Sequence, residues 1–188
     1  MMKAIKPTLV LLIITTVVSA LLIVTYNLTY VDTSGIITEK MQLACEELMG
    51  EGEYEIVTDW EAAGYSISKP DNVEKLIRKS DGTVAFEIIT SGYSKNGLDM
   101  LIAMNSDGTV KGVTVVSIGE TPGLGTKVQN SDFLAQYNGK GGELTVVKTA
   151  PAADNEIEAV TSATYSSKGV TKAVNIAIST YKELGGAK

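Results

Sequence analysis

The sequence contains no histidine and only one cysteine, Cys45. Without histidine, the chain lacks the usual general base, the usual metal ligand and any Ser-His-Asp or Cys-His arrangement. One cysteine is too few for an iron–sulfur cluster, a c-type haem site or a dithiol couple within the chain. Hydrolase and metalloenzyme functions are therefore disfavoured, and any redox chemistry would have to come from an organic cofactor.

Basic residues are also few, with 16 Lys and Arg against 22 Asp and Glu. All 22 acidic residues follow residue 30, whereas Lys3 and Lys6 precede it, so the later part of the chain carries a net charge of about −8. This excess argues against binding to nucleic acid or to an anionic membrane surface. Because a single cysteine allows no intrachain disulfide, the fold must depend on packing alone.

Charge is absent from residues 8–24, which read TLVLLIITTVVSALLIV. As a helix these residues rise about 25 Å, and apolar neighbours extend the run toward the ~30 Å hydrocarbon core of a bilayer. A signal peptide is the alternative, but the long run without a small-x-small cleavage site favours a retained anchor. Lys3 and Lys6 place the N-terminus in the cytoplasm, which predicts a single-pass protein of the cell membrane with an extracytoplasmic domain after about Tyr30.

A chain of 188 residues can hold one such anchor and one domain of ordinary size. We divide it into a cytoplasmic N-terminus and anchor at 1–30, a membrane-proximal helix with short strands at 31–70, and the main domain at 71–188. The first helix is expected from about Ser34 to Met49, with Ile37, Met41, Cys45 and Leu48 buried. Gln42 occupies an aliphatic position of the lipoprotein box, so we read Cys45 as a core residue rather than a lipidation site.

An α+β domain with an antiparallel sheet and flanking helices is predicted for the rest of the chain. Short strands are expected at Glu53–Thr58 and Tyr65–Ser68, and longer ones at 73–79, 83–90, 98–104 and 109–118. Asp81-Gly82 and Asp107-Gly108 separate two pairs of these runs, and Asp-Gly between β-rich segments is a strong hairpin signal. We therefore expect a meander with two Asp-Gly hairpins, followed by a short helix carrying Phe133 and Tyr137 and a strand at Glu143–Lys148.

The last strand of the meander leads into a loop that reads Glu-Thr-Pro-Gly-Leu-Gly at positions 120–125, followed by Thr126 and Lys127. Pro122 fixes one backbone angle, while Gly123 and Gly125 permit conformations closed to other residues. Such a rigid loop can bring backbone N–H groups close to a flat ligand. A simple tight turn after a strand is the alternative.

Five hydroxyl side chains fall within seven residues just before an amphipathic run: Thr161, Ser162, Thr164, Ser166 and Ser167. From Ser167 onward, apolar residues recur at helical spacing at Val170, Ala173, Val174, Ala177, Tyr181 and Leu184. A helix N-terminus is satisfied by one hydroxyl cap or by a bound phosphate. The surplus of hydroxyls suggests an anion site or a modified hydroxyl, with simple capping as the alternative.

The segment Glu158–Ser167 resembles the FMN-attachment motif of the FMN-binding domain family, with Glu158 where Asp is usual and Ser162 where Gly is usual. The hexapeptide at 120–125 resembles that family's second signature. The resemblance implies that Thr164 carries FMN through a phosphodiester bond, with Thr161, Ser162, Ala163, Ser166 and Ser167 around it. It also implies that the loop lies against the flavin through Gly123 and Gly125, with Leu124 near the ring and Glu120, Thr121 and Lys127 as polar partners.

The order of anchor, acidic domain and two motifs resembles the G subunits of Rnf complexes over essentially the full length. That resemblance implies an electron-transfer subunit of a membrane-bound ferredoxin:NAD oxidoreductase that couples electron flow to Na⁺ or H⁺ transport. Its partners would be the sister membrane and peripheral subunits, and a flavin transferase using FAD would attach the cofactor. Three alternatives stay open: the C subunit of a sodium-pumping NADH:quinone oxidoreductase, a free-standing extracellular flavoprotein, and a membrane-anchored binding module whose hydroxyls only cap a helix.

Overall fold

The chain forms two compact units, Met1–Ser34 and Gly35–Lys188. This computed structural model describes residues 2–29, 36–65, 67 and 69–185. The first unit contains helix α1, Met2–Thr29, and the second contains all the other elements. The α+β fold, the antiparallel sheet and the flanking helices are as the sequence predicts. The three-part division at residues 30 and 70 stays a prediction.

Helix α1 has the length and composition of a membrane span along Lys6–Thr29, where apolar side chains such as Leu22 and Leu28 are exposed. Its threonines bond back onto the helix: the Thr16 hydroxyl donates to the Leu12 carbonyl at 2.8 Å, and the Thr25 hydroxyl donates to the Leu21 carbonyl at 2.7 Å. These bonds give the threonine hydroxyls an acceptor, which the hydrocarbon of a bilayer could not provide. One N-terminal apolar helix therefore fits a single-pass membrane subunit.

Helix α2, Glu39–Met49, begins where Thr38 caps it. The Thr38 side chain accepts a hydrogen bond from the Met41 amide at 3.3 Å, which fixes the start several residues after the predicted Ser34. Ser34 itself lies outside the described residues. Met41 and Cys45 are buried as predicted, and burial, followed by the charges of Glu87 and Glu46, raises the pKa of the Cys45 thiol to about 11. Cys45 is therefore an unreactive core residue.

Five antiparallel strands form the central sheet in the order β1-β2-β3-β4-β5. Both Asp-Gly hairpins are present, with Gly82 at φ +89° and Gly108 at φ +82°, conformations that favour glycine. The strands are β1 Tyr54–Val57, β2 Val73–Lys79, β3 Val84–Thr90, β4 Leu98–Met104 and β5 Val110–Ile118.

After the sheet come a 3-10 helix Gly125–Gln129, helix α3 Ser131–Ala135, strands β6 Thr145–Val147 and β7 Glu156–Glu158, and helix α4 Thr164–Glu183. Along each strand, side chains alternate between the two faces of the sheet, and both faces are covered. Met100 and Ile102 belong to the main core with α4, whereas Leu101 and Ala103 pack with α2. The apolar residues predicted to line α4 are all buried.

Three local predictions need correction. Tyr65 and Ile67 are not in a strand, because the Tyr65 amide closes a turn on the Trp60 carbonyl at 2.9 Å and its ring packs edge-on against Trp60. Ser66 and Ser68 lie outside the described residues. Tyr137 follows helix α3 in a turn, and the acidic segment before residue 159 contains strand β7, which pairs in parallel with β6.

On the α2 face of the sheet, Asp99 faces Glu87, which contacts the Lys75 ammonium at 2.9 Å. Burial, followed by the Glu87 charge, raises the Asp99 pKa from 3.8 to about 6. The folded state therefore holds this proton more tightly than the unfolded state, and its stability falls as the pH rises from about 4 to about 6.

We expect Asp99→Asn to remove this fall in stability with rising pH. The pKa shift corresponds to at most about 3 kcal/mol, and partial exposure lowers the expected gain at pH 7.5 to about 1–2 kcal/mol, with no gain at pH 4. Urea unfolding followed by the fluorescence of Trp60, the single tryptophan, measures it. Asp107→Asn is the control with the opposite sign, because hydrogen bonds from Thr109 lower the Asp107 pKa. A gain for Asp99→Asn of equal size at both pH values would contradict the assignment.

Candidate functional site

The N-terminus of α4 begins at Thr164, with Ala163 as its N-cap residue. Alanine has no side-chain oxygen, and no side chain caps this end of the helix. The first intrahelical bond runs from the Ser167 amide to the Ala163 carbonyl at 2.8 Å, so the amides of residues 164–166 precede it. Thr164 is half-buried at this end, while Thr161 and Ser162 are exposed on the preceding turn. This end can therefore receive an anion.

Two of the five hydroxyls are buried and bonded within the protein. The Ser167 hydroxyl accepts from the Val160 amide and donates to the Ala163 carbonyl, both at 3.0 Å, which shapes the turn before the helix. The Ser166 hydroxyl donates to the Glu120 carboxylate at 2.6 Å. The hydroxyls of Ser166 and Ser167 are thus bonded within the protein, and the accessible hydroxyls of this segment are those of Thr161, Ser162 and Thr164.

Glu120 ties the two motifs together. Its side chain is only 5% exposed, and its carboxylate accepts from the Ser166 hydroxyl, from the Ser94 amide at 2.9 Å and from the Tyr93 amide at 3.2 Å. It therefore joins the loop after β5, the loop between β3 and β4, and α4. The sequence predicted Glu120 as a polar partner of the ligand, but its hydrogen bonds lie within the protein.

Glycines make room for this carboxylate. A Cβ atom added at Gly92 or Gly97 would lie 2.9 Å from Glu120 Oε1, and one at Gly125 would lie 2.5 Å from Oε2 and 2.7 Å from the Ser166 hydroxyl. Gly125 is thus required for close approach, whereas Gly123 is required by its φ of +74°.

The rest of the loop is folded on itself and open on its outer side. The Gly123 amide donates to the Thr126 hydroxyl at 2.9 Å, and the Leu124 amide donates to the Thr121 carbonyl at 3.2 Å. Thr121 and Lys127 are exposed, as is Leu124 at 46%. Thr121, Leu124 and Lys127 are therefore accessible to a ligand.

Two exposed tyrosines belong to the segments that bind the Glu120 carboxylate. Tyr93, whose amide binds it, is 77% exposed, and Tyr165, next to Ser166, is 70% exposed. Tyr93, Leu124 and Tyr165 are thus exposed side chains on the three segments that Glu120 joins, and exposed aromatic and apolar side chains suit a flat aromatic ligand. Neither tyrosine was among the predicted site residues. An aromatic residue within the Ser-Gly-Tyr-Ser stretch at 91–94 is the sequence signal that could have indicated Tyr93.

Ser162 has a left-handed backbone with φ +66°. This conformation is unfavourable by about 1–2 kcal/mol for a non-glycine residue, which gives a physical reason for the glycine usual in the motif. We expect Ser162→Gly to stabilise the domain by about 0.5–1 kcal/mol, because greater freedom of the unfolded chain offsets part of the relief. Urea unfolding measures the change, and the same substitution at the exposed Ser106 is the control. Destabilisation by Ser162→Gly would contradict the strain assignment.

Comparison with known proteins places these features in a family. The sequence model of the FMN-binding domain family matches residues 92–179, which include the loop and the start of α4. The G subunit of the Na⁺-translocating ferredoxin:NAD⁺ oxidoreductase complex of Acetobacterium woodii is 37% identical over 131 residues, 65% of this chain and 62% of that relative. The chain thus matches about three fifths of that relative's length.

A longer match is found in Aliivibrio fischeri. The G subunit of its ion-translocating oxidoreductase complex is 30% identical over 189 residues, 94% of this chain and 90% of that relative. The C subunit of the Na⁺-translocating NADH-quinone reductase of Pasteurella multocida is 33% identical over 109 residues, but only 42% of that protein is covered. The chain belongs to the family of G subunits of ion-translocating oxidoreductase complexes.

Proposed function

We propose that this chain is the electron-transfer subunit of an Rnf-type complex and carries FMN bound covalently to Thr164 through a phosphodiester. The observation that carries the proposal is the uncapped start of α4, where Thr164 is accessible and the Ser166–Glu120 bond brings the second motif alongside. The match to the FMN-binding domain family over residues 92–179 supports the identity of the cofactor.

The residues present fit this cofactor. The amides of residues 164–166 and the helix dipole would stabilise the phosphodiester charge, a contribution of about 0.3–1 kcal/mol. Tyr93, Leu124 and Tyr165 would contact the ring system, and the exposed Thr121 and Lys127 would provide polar contacts. FMN, once bound, supplies both one-electron and two-electron transfer. The protein holds and orients it, while Glu120 keeps the loop beside the helix.

Attachment would be carried out by a separate flavin transferase. The Thr164 hydroxyl oxygen would bond to the FMN-side phosphorus of FAD, the pyrophosphate bond would break, AMP would leave, and the hydroxyl proton would pass to a base of the transferase. The chain has no histidine to act as that base. Asp99 has a pKa of about 6, but it lies on the α2 face of the sheet, away from the face that packs on α4.

A covalent bond is useful where free flavin is dilute. A micromolar non-covalent site provides only about −8 kcal/mol and would lose its flavin outside the membrane. We infer that α1 spans the cell membrane once, with Lys3 and Lys6 on the cytoplasmic side and the domain from Gly35 outside. The acidic surface of that domain suits solubility there.

Within the complex, the chain would exchange electrons with carriers in the sister subunits while ferredoxin:NAD oxidoreduction drives Na⁺ or H⁺ transport. It would not catalyse that reaction alone, because the chain has no histidine and one cysteine, and the redox chemistry would come from the bound flavin. The greater coverage of the relative from Aliivibrio fischeri, 90% against 42% for the relative from Pasteurella multocida, favours this assignment over a sodium-pumping NADH:quinone oxidoreductase.

The direct test is to produce the full chain with and without a flavin transferase, purify it in detergent and denature it. We expect protein from the first culture to stay yellow after denaturation and to gain the mass of FMN less one water. Protein from the second culture should be colourless and unmodified. Colourless, unmodified protein from both cultures, with the transferase shown to be active on another substrate, would contradict the proposal.

A further inference from the structure

A groove of about 610 Å³ runs between β6 and α4, on a part of the domain that the proposed flavin site does not use. Its apolar lining includes Val146 and Ile176, which are partly exposed, and Leu144 and Ile178, which are buried. Its volume lies within the range of ligand-binding clefts. The groove follows α4 from Lys168 to Lys182, about 21 Å at the helical rise, which is the length of six or seven residues of extended chain.

One side of the groove is an open strand edge. In the parallel pair, the Thr145 amide donates to the Asn155 carbonyl at 2.9 Å, and the Val147 carbonyl accepts from the Ala159 amide at 2.8 Å. Backbone groups alternate along a strand, so those of Leu144 and Val146 face away from β7. Val146 therefore presents its N–H and C=O to the groove.

The Asn175 side chain makes the hydrogen bonds of a neighbouring strand at this edge. Its side-chain oxygen accepts from the Leu144 amide, and its side-chain nitrogen donates to the Leu144 carbonyl, both at 2.9 Å. This is the two-bond pattern that a strand residue would make. The next outward-facing position, Val146, receives no equivalent partner from the residues that the structure describes. The edge thus leaves the N–H and C=O of Val146 free to pair with an added chain.

The rim of the groove is basic although the domain is acidic. Lys168, Lys172 and Lys182 are exposed along the α4 side, and within the described ranges none of them lies within 4.0 Å of a carboxylate. Glu143 is the single acidic residue among those lining the groove. The uncompensated positive charge selects against basic and neutral segments and favours an acidic one.

We propose that this groove binds an extended acidic segment of a partner protein, which adds to the edge of β6 and places its carboxylates against Lys168, Lys172 and Lys182. Main-chain bonds to Val146 would align the segment, and the lysines would select its charge. Thr164 lies one turn before Lys168 on the same side of α4, so the bound segment would end beside the proposed attachment residue. Only that last consequence rests on the proposed function, because peptide binding requires no flavin.

The test uses the full chain in detergent and a fluorescent ten-residue peptide of alternating glutamate and valine. The variant is Lys168→Gln with Lys172→Gln and Lys182→Gln, and its matched control is Lys40→Gln with Lys95→Gln and Lys111→Gln, three exposed lysines elsewhere. We expect the groove variant to weaken binding by about tenfold and the control by less than about threefold at physiological salt. Equal losses in both variants would overturn the proposal.

Two further probes test the mode of binding. The same peptide with N-methyl groups on alternate amides keeps its charge but cannot pair with a strand edge, and we expect it to bind at least about tenfold more weakly. Undiminished binding of the methylated peptide, or equal binding of a lysine–valine peptide, would overturn the proposal. The proposal would also be overturned if phosphatidylserine vesicles bound the wild type but not the groove variant, while the acidic peptide bound both proteins equally. The groove would then recognise a membrane surface.

Discussion

Thr164→Ala is expected to abolish the FMN adduct completely. The substitution removes the one oxygen proposed to form the phosphodiester and leaves the amides of α4 in place. It should change the free energy of unfolding by no more than about 0.5 kcal/mol, because Thr164 is the first helical residue and not the cap. The measurement is the intact mass of the denatured chain after production with the flavin transferase.

Thr149→Ala is the matched control, since it removes an exposed hydroxyl outside the attachment motif and should leave the adduct unchanged. Thr164→Ser retains a hydroxyl at the attachment position and should retain at least part of the adduct. Persistence of the full adduct in Thr164→Ala, or its loss in Thr149→Ala with the fold intact, would show that the attachment residue is another one.

The second large effect is expected at Glu120. Glu120→Ala would leave the amides of Tyr93 and Ser94 and the hydroxyl of Ser166 without their acceptor in a largely buried niche. We expect a loss of about 2–4 kcal/mol in the free energy of unfolding, measured by urea unfolding with Trp60 fluorescence. Glu120→Gln should lose less, because its amide oxygen can still accept.

A matched control for Glu120 is Glu55→Ala, which removes a surface carboxylate that pairs with Arg78 at 2.9 Å. That change should cost less than about 1 kcal/mol. In the folded Glu120→Gln protein, FMN attachment should be slower than in wild type although Thr164 is intact. Wild-type stability in Glu120→Ala would show that this carboxylate does not hold the two motifs together.

Much of the fold could be predicted because local chemistry determines it. Gly82 and Gly108 adopt the positive φ that their Asp-Gly turns require, so both hairpins close where the sequence indicates. The spacing of Val170, Ala173 and Ala177 likewise identified the buried side of α4. Both motifs were visible in the sequence as unusual clusters of glycine and of hydroxyl residues.

What the sequence left open depends on contacts between distant residues. The structural role of Glu120 was not predicted, because nothing in the hexapeptide indicates that Tyr93, Ser94 and Ser166 bind its carboxylate. Strand β7 was missed because Glu156–Glu158 contains only one apolar residue and depends on β6 for its hydrogen bonds. The role of Asn175 at the β6 edge was hidden for the same reason, since its partner Leu144 lies 31 residues away.

The central claim is tested most directly by locating the modification in the peptide Thr149–Lys168 from trypsin digestion of the flavinylated chain. This peptide contains Thr149, Thr161, Ser162, Thr164, Tyr165, Ser166 and Ser167, so fragmentation must separate the hydroxyls. The account predicts one FMN phosphodiester, on Thr164. A phosphodiester on any other residue of this peptide, or a fully flavinylated chain whose peptide 149–168 is unmodified, would contradict it.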